Sequence, residues 1–339
     1  MRNNIEEEFE KIVLNTIKEN NLIEDKDVIV VAVSGGPDSM ALLSCLINLK
    51  EKNLINYEKL VVAHVNHMIR KESKEETEYV EVFARKHNLE CFIKYVDIVK
   101  LAKEQKKGLE EVGREERYKF FDEVKEKVGA TKVAVAHNKK DNVETVLMHF
   151  YRGSGINGLA GIRAKNQYYI RPIIDVDRED IEKYIERIKV KTFIDKSNED
   201  IYYTRNRVRN EIIPYLEEHV NKNIINTVDR LSKIIEVEND YLEEQEEKAY
   251  KDCLVELNQD KNLKLDLKKF NKYHKAIKNR IILRAIKDVL GSSYNIEKVH
   301  IDDIIKMLDN NIGNKYLMPN KNIKVYLKQG TVYVSKESK

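Results

Sequence analysis

Residues 28–43 read VIVVAVSGGPDSMALL, and this stretch decides the fold that the sequence predicts. Its first six residues, Val28 to Val33, form an apolar run rich in valine and isoleucine, which is typical of a strand buried on both faces of a parallel sheet. A turn of small residues follows, and an apolar helix begins near Ser39. A strand that leads through such a turn into a helix is the first part of a βαβ unit. The stretch therefore predicts an α/β protein.

The alternation of strands and helices continues along the first 216 residues. Apolar runs predict strands near 28–33, 60–65, 90–96, 131–136 and 169–173, and helix-period segments predict helices near 39–50, 74–88, 109–128 and 140–151. Such alternation predicts a doubly wound, mainly parallel sheet, whose ligands bind at the carboxyl ends of the strands.

The pattern changes after about residue 216, just past Pro214. From there long charged helices are predicted near 224–250 and 269–289, with Gly291 as a helix stop, and the only strands are short ones near 323–334. We therefore predict two domains, residues 1–216 and residues 217–339, of which the second is mostly helical.

Composition excludes several classes of protein. The chain has 339 residues, enough for two or three domains. Its three cysteines, Cys45, Cys91 and Cys253, are too widely spaced for a disulfide framework or a CxxC pair. No apolar run approaches the roughly 20 residues that cross a bilayer, and the acidic N-terminus does not resemble a secretory signal. We therefore expect a cytoplasmic protein with no membrane partner.

Charge is distributed unevenly, although the net charge is only +3. Residues 261–287 contain ten lysines and arginines and one acid, whereas residues 236–247 are strongly acidic. A basic run repels itself unless phosphates or neighbouring carboxylates compensate it, so we predict a polyanion partner, with a solvated helix face as the alternative. The lysines that recur at near-helical spacing and suit a row of phosphates are Lys268, Lys272, Lys275 and Lys278.

The turn after the first strand has the composition of a phosphate site. Two adjacent glycines let successive N–H groups converge at a helix N-terminus, where the helix dipole adds positive potential. Asp38 would repel a phosphate unless a divalent cation lay between them, so the turn also indicates a metal ion. The predicted ligand-binding residues are Ser34, Gly35, Gly36, Pro37, Asp38 and Ser39. A GxGxxG match at residues 153–158 follows a helical segment instead of a strand, so we reject a dinucleotide site there.

Two pairs of charged residues complete the candidate site. Asp141 and Glu144 share one face of a helix that follows the fourth strand. From there they can help Asp38 to surround a magnesium ion. The alternative is that the two acids only complement the positive end of the helix dipole. Arg114 and Arg117 have the same spacing and suit phosphate oxygens or developing negative charge, with surface ion pairs as the alternative. The remaining candidates are His64 and His137, each equally consistent with a structural histidine, and the arginines 205, 207 and 209, which suit an RNA backbone or an anionic substrate.

SGGPDS at residues 34–39 resembles the PP-loop of the N-type ATP pyrophosphatases, which cleave ATP between the α- and β-phosphates and adenylate an acceptor. Five further segments resemble, in the same order, motifs of the bacterial tRNA(Ile)-lysidine synthetases. They are HVNHMIR at 64–70, GLEEVGREERY at 108–118, AHNKKDNVET at 136–145, RGSGINGLAG at 152–161, and DKSN at 195–198 with RNRVR at 205–209.

The resemblance implies an adenine nucleotide alpha hydrolase-like fold, ATP with Mg²⁺, free L-lysine, and a tRNA(Ile) with a CAU anticodon as substrate. It implies catalytic roles for Asp38, Asp141, Glu144, Arg114 and Arg117, of which Asp38 and Asp141 would hold the magnesium ion of ATP. It implies contacts with substrate or tRNA for His64, Arg152, Arg205, Arg209, Lys272 and Lys275. A homodimer is left open as the assembly.

Other functions on the same fold are weaker predictions. A tRNA thiolase generally needs a cysteine pair or an iron–sulfur site, and an amidotransferase-type synthetase needs a glutaminase with a reactive cysteine; neither is evident in the sequence. A non-catalytic RNA-binding module is the alternative from another class, and the retained acids and arginines speak against it. Many relatives carry a further small C-terminal domain that helps to engage tRNA; if this protein lacks one, we expect ATP binding to persist and tRNA affinity to weaken.

Overall fold

The computed structural model of the chain describes residues 4–68, 73–193, 204–258, 262–292, 296–313 and 315–337. Two compact units are present, Met1–Glu236 and Val237–Lys339. The division falls later than the boundary predicted near 215–220, inside helix α11, Ile224–Cys253. The reason is that α11 contributes to both cores: Val228 packs in the first unit and Cys253 in the second.

Six strands of the first unit form one sheet in the order β3-β2-β1-β4-β6-β5. Their bounds are β1 Val28–Ala32, β2 Lys59–Asn66, β3 Glu90–Tyr95, β4 Lys132–Ala134, β5 Lys165–Asn166 and β6 Tyr169–Ile170. All pairs are parallel except β5 with β6. The five predicted strands are therefore confirmed, although β4 and β6 are shorter than predicted. The two-residue strand β5 was missed because its hairpin turns at Gln167 and Tyr168, which lack the Asn-Gly or Asp-Gly signal of such turns.

Helices cover both faces of this sheet. They are α1 Asn4–Glu19, α2 Pro37–Glu51, α3 Ser73–Lys86, α4 Ile98–Gln105, α5 Leu109–Val128, α6 Lys139–Tyr151, α7 Ile156–Leu159, α8 Arg178–Ile188, α9 Thr204–Arg207, a π-helical turn Val208–Ile212, and α10 Ile213–His219. The four predicted helices are α2, α3, α5 and α6, and they are confirmed. No described helix in either unit combines the length and the apolarity needed to cross a bilayer.

The side chains of β1 show why the sheet is doubly wound. Ile29 and Val31 pack in the core formed with α1, α2 and α8, whereas Val30 packs in the core formed with α5. Alternate residues of a strand point to opposite faces, so a run of consecutive apolar residues is the pattern of a strand that is covered on both sides. The predicted fold class is therefore confirmed for the first unit.

The second unit contains the short strands predicted near 323–334, which are β10 and β11, but also three strands that were not predicted. It contains a five-stranded antiparallel sheet, in the order β7-β8-β11-β10-β9, packed with helices. The bounds are β7 Leu254–Leu257, β8 Leu263–Asp266, α12 Leu267–Phe270, α13 Lys275–Leu290, α14 Lys298–Asp309, β9 Tyr316–Asn320, β10 Ile323–Lys328 and β11 Thr331–Lys336. The strand β8 was not predicted, because its four residues, LKLD, alternate between apolar and charged side chains inside a basic run. Gly291, with φ +83°, ends α13 as predicted.

A buried amide network fixes the loop after α7 against α6. The side-chain nitrogen of Asn142 donates to Asp229 Oδ1 at 3.1 Å and to Ser232 Oγ at 3.0 Å, while its oxygen accepts from the backbone N–H of Ile162 at 2.8 Å. Gly161 lies directly against this amide with φ +71°, and a Cβ built there would collide with Asn142 Oδ1. The position therefore needs glycine for its backbone conformation and for the space.

We expect Gly161→Ala to destabilise the protein more than Gly129→Ala. Both glycines have a positive φ, so each alanine should cost about 1 kcal/mol for its backbone conformation. Gly129 ends α5 in open space, whereas the new methyl at Gly161 must displace Asn142, which should add about 1–3 kcal/mol. Urea denaturation followed by circular dichroism measures the difference, and equal losses for the two variants would contradict this account of Gly161.

Candidate functional site

The loop between β1 and α2 is held open by its two serines. The hydroxyl of Ser39 donates to the carbonyl of Gly36 at 3.0 Å and accepts from the N–H of Ser34 at 3.1 Å. Gly35 has φ +87°, a conformation that favours glycine, and Pro37 occupies the start of α2. The N–H of Gly36 donates to Ser34 Oγ at 3.3 Å. Among the described residues no side chain caps α2 at Gly36, so the N–H groups of Asp38 and Ser39 in its first turn are available to an anion.

Asp38 lies in the first turn of α2 and is bound by residues from two other elements. Nη1 of Arg178 is 2.7 Å from Oδ1 and 2.6 Å from Oδ2, and the amide of Asn138 donates to Oδ1 at 3.1 Å. Burial raises the pKa of Asp38, the charge of Arg178 opposes that shift, and the charge of Asp141 adds to it. The two carboxylates that were predicted to share a cation therefore lie within electrostatic reach of each other.

Asn138 joins this carboxylate to the helix that follows β4. Its side-chain oxygen accepts from the N–H of Asp141 at 3.1 Å, and the carboxylate of Asp141 accepts from the N–H of Asn138 at the same distance. This reciprocal capping box satisfies N–H groups at the start of α6. Because the same Asn138 also binds Asp38, it links the first turn of α2 to the start of α6.

Two acids of α6, one arginine of α9 and one arginine of the π-helical turn form a cluster of four charges. Arg205 donates to Glu144 at 2.8 Å and to Asp141 at 3.0 Å, and Arg209 donates to Glu144 at 2.5 Å and to Asp141 at 2.9 Å. Glu144 is fully buried. Burial alone would raise the pKa of Asp141, but Arg205 and its other cationic neighbours outweigh burial and hold that pKa below its ordinary value. Arg205 and Arg209, predicted as contacts for RNA or an anionic substrate, are thus paired here with the predicted catalytic acids.

His137, at the carboxyl end of the β4 segment, lies beside this cluster. Its Nδ1 accepts from Nε of Arg171 at 3.3 Å. Burial lowers the pKa of His137 to about 3, and the charges of Arg171, Arg205 and Arg114 add to this effect against the opposing charge of Asp141. The imidazole is therefore neutral at physiological pH.

Arg114 and Arg117 lie on α5 and are exposed. The guanidinium carbon of Arg114 is 4.8 Å from the centre of the Tyr118 ring, and Nε of Arg117 donates to the carbonyl of Gly113 at 3.3 Å. In the described ranges of the chain, neither guanidinium is within 4.0 Å of a carboxylate oxygen, so the alternative of surface ion pairs is not seen.

The other predicted site residues are less closely associated with the loop. His64 is only 2% exposed, and its ring nitrogens bond to the carbonyl of Val33 at 2.8 Å and the hydroxyl of Thr77 at 2.9 Å, so no ring nitrogen is left for a substrate. Arg152 is exposed at the end of α6, and Lys272 and Lys275 are exposed in the second unit. Arg70 and residues 195–198 lie outside the described residues.

Three residues of this site were missed by sequence reasoning. Asn138 carries a local signal, because Asn followed three residues later by an acid is a helix-capping pattern. Arg171 carries a weaker sequence signal, because it is a charged residue inside the apolar run that follows β6. Arg178 carries none, since its partner Asp38 is 140 residues away in sequence.

Comparison with known proteins identifies the family of this chain. Residues 1–216 match the PP-loop domain family. Among solved structures, the U34-tRNA thiolase NcsA from Methanococcus maripaludis is similar in fold, with a TM-score of 0.56, 18% identity, and coverage of 68% of this chain and 80% of that chain. The fold and the loop thus define a PP-loop protein that uses ATP.

Two relatives narrow the assignment further. The tRNA(Ile)-lysidine synthase of Clostridium acetobutylicum is 42% identical over 322 residues, covering 94% of this chain and 68% of the relative. The enzyme of the same name from Clostridioides difficile is 37% identical over 331 residues, covering 97% and 71%. This chain belongs to the tRNA(Ile)-lysidine synthase family.

We expect Glu144→Gln to destabilise the protein by about 3–5 kcal/mol, because it neutralises a fully buried carboxylate and leaves the partly buried Arg205 and Arg209 beside a single carboxylate. The matched control is Glu90→Gln, which removes an exposed pair with Lys59 and should cost less than about 1 kcal/mol. Urea denaturation at pH 7 compares the two variants. A loss at Glu144 no larger than that at Glu90 would show that the cluster contributes little.

The stability of the first unit should fall as the pH drops below 6.5, partly through His137. The folded state keeps this imidazole neutral down to a pKa of about 3, whereas the unfolded chain binds a proton near pH 6.5, so acid favours unfolding between these values. His64, whose pKa burial also lowers, contributes in the same window. We therefore expect His137→Gln to reduce the slope of unfolding free energy against pH by up to about 1.4 kcal/mol per pH unit. An unchanged slope would contradict the assignment of a neutral His137 in the folded state.

Proposed function

We propose that this protein ligates free L-lysine to C2 of the wobble cytidine in the CAU anticodon of tRNA(Ile), forming lysidine and releasing AMP and pyrophosphate. The similarity to tRNA(Ile)-lysidine synthases along 94% of the chain carries this proposal. The product would change the codon read by the tRNA from AUG to AUA and its amino-acid identity from methionine to isoleucine. We place the reaction in the cytoplasm.

The reaction proceeds in two steps. O2 of the cytidine attacks the α-phosphate of ATP and pyrophosphate leaves; the ε-amine of lysine, after losing its ammonium proton, then attacks C2 and AMP leaves. The serines and amides of the loop at residues 34–39 would hold the phosphates of the leaving pyrophosphate, and the hydrogen bonds that order this loop support the assignment. Arg114 and Arg117 present guanidiniums, each without a salt-bridge partner in the described ranges, that suit the charge developing on the α-phosphate.

A magnesium ion fits the carboxylates of this site. The charge of Asp141 raises the pKa of Asp38, so the two groups repel each other, and a divalent cation between them would relieve that repulsion. Asp38 and Asp141 would hold the ion together with oxygens of ATP and water, as Mg²⁺ prefers, and the ion would neutralise phosphate charge. Across the described ranges, no three or more His, Cys, Asp or Glu side chains form a metal cage of their own.

The acids on α6 also suit the cationic ends of lysine. In this structure Asp141 and Glu144 each accept hydrogen bonds from two guanidiniums, so they already act as partners of cationic groups. Binding of a substrate ammonium would replace part of the contact with Arg205 or Arg209. We therefore keep Asp141 and Glu144 as proposed catalytic-site residues and assign the two arginines to their support.

The second unit, with residues 217–236 before it, is the proposed tRNA-binding part. Its basic run is partly neutralised within the unit: Arg284 pairs with Glu246 and Glu247, and Lys278 with Asp309. The exposed Lys272 and Lys275 have no salt-bridge partner within the described ranges, and they are the proposed phosphate contacts.

The thiolase alternative rests on fold similarity alone. Cys45 and Cys253 are buried, and burial raises the pKa of Cys91 to about 11 and that of Cys253 to about 12. Thiols of this kind are protonated and poorly nucleophilic at neutral pH, so their chemistry does not favour sulfur transfer.

The test is an assay of the purified chain with ATP, Mg²⁺, radiolabelled lysine and tRNA(Ile) with a CAU anticodon. We expect lysine-dependent label in the tRNA and matching pyrophosphate release, both reduced at least about 100-fold by Asp38→Ala, which removes the acid from the loop. The control is Asp303→Ala, an exposed acid on α14, which should retain activity. Pyrophosphate release without incorporation of lysine would overturn the proposed acceptor, and label that persists in Asp38→Ala would overturn the role of the loop.

A further inference from the structure

Arg171 is a buried cation without a carboxylate partner in the described ranges. Its side chain follows β6 and is only 7% exposed. Nη1 donates to the carbonyl of Arg163 at 2.8 Å and Nε donates to Nδ1 of His137 at 3.3 Å, and both acceptors are neutral. A buried charge that lacks a counter-ion is costly, so a folded protein that retains one has a strong preference for an anion beside it.

The surroundings of Arg171 strengthen that preference. Arg114 reaches the hydroxyl of Tyr118 at 3.5 Å, and the charge of Arg114 acts on Arg171 as well. The nearest acids on α6, Asp141 and Glu144, are each bound by two other arginines. The surroundings of Arg171 therefore have an excess of positive charge in the described structure.

Arg171 lies at a different position along the edge of the sheet from the loop at residues 34–39. In the sheet order β1-β4-β6, Arg171 follows β6 and the loop follows β1. Neighbouring strands lie about 4.8 Å apart, so the two sites are on the order of 10 Å from each other along the edge of the sheet. An anion at Arg171 is consequently a different group from the pyrophosphate that the loop would hold.

We propose that Arg171, supported by His137 and flanked by Arg114, binds the α-carboxylate of the substrate lysine. This inference rests on the proposed function and extends it to the residue that recognises the amino acid. A guanidinium fork matches a carboxylate in geometry and charge, and a side chain this deeply buried suits a small free molecule better than the backbone of an RNA. The α-phosphate of the adenylate has the same chemistry and is the other source of an anion.

The first test needs no variant. Lysine, lysinamide and cadaverine share the reacting amine, but lysinamide and cadaverine lack the carboxylate. With the wild-type chain, ATP and tRNA, we expect KM for lysinamide and cadaverine to exceed that for lysine by at least about tenfold, which is typical for loss of one charged hydrogen-bonded partner. Equal KM values for the three amines would overturn the proposal.

The second test removes the guanidinium. Arg171→Gln should raise KM for lysine at least about tenfold while leaving KM for cadaverine nearly unchanged, so that discrimination is lost. Arg171→Lys should recover part of it, because lysine keeps the charge but not the fork. The control, Arg85→Gln, removes an exposed arginine paired with Glu81 on α3 and should leave discrimination intact. A purely structural role of Arg171 would weaken all three amines alike and would also overturn the proposal.

The adenylation step distinguishes the two sources of the anion. Pyrophosphate release in the absence of lysine reports formation of the adenylated tRNA alone, and it should be unchanged in Arg171→Gln. A large loss in that step would assign Arg171 to the α-phosphate and overturn the carboxylate assignment. Failure of the wild-type chain to incorporate any amine would instead count against the proposed function, so the two failures are separable.

Discussion

The rest of the site depends on the neutralisation of two acids at the start of α6. Asp141 and Glu144 are fixed on one turn of a helix, and Glu144 has no access to solvent. Two carboxylates so close together and so deeply placed require cations, and Arg205 and Arg209 supply them from a segment more than sixty residues later in the chain. This requirement draws α9 and the following π-helical turn onto α6. π-Helical turns are rare in proteins, and those that occur are often found at functional sites. The turn in this protein contains Arg209.

From this cluster the constraints extend to the phosphate loop through short polar contacts. Asp141 caps α6 together with Asn138, Asn138 binds Asp38, and Asp38 binds Arg178. Each acid that the proposed chemistry needs is therefore also a structural partner of a cation or an amide. Binding of a cation or an ammonium group therefore has to compete with arginines already in place.

Whether a feature of the fold or the site could be predicted depends on how far apart in sequence its interacting residues lie. The five strands and four helices predicted for the first unit depend on local patterns, and these predictions were confirmed, whereas phosphate binding by the loop at residues 34–39 stays a prediction. β5, β7, β8 and β9 are short, and their pairing partners decide them, so local patterns did not reveal them. The partners of the acids are set by long-range packing: the sequence suggested that Arg205 and Arg209 contact RNA, and nothing in it connects Arg178 with Asp38.

The charges along the carboxyl edge of the sheet follow an order that fits the substrates of the proposed reaction. Free N–H groups follow β1, carboxylates follow β4, and the buried guanidinium of Arg171 follows β6. Adjacent sites thus favour a phosphate, then an ammonium group, then a carboxylate. Free lysine carries both of the last two groups, whereas a tRNA backbone carries only phosphates. We therefore propose that the alternation of charge over three neighbouring strands provides separate places for ATP and for a zwitterionic amino acid, which is the division of substrates that lysidine formation requires.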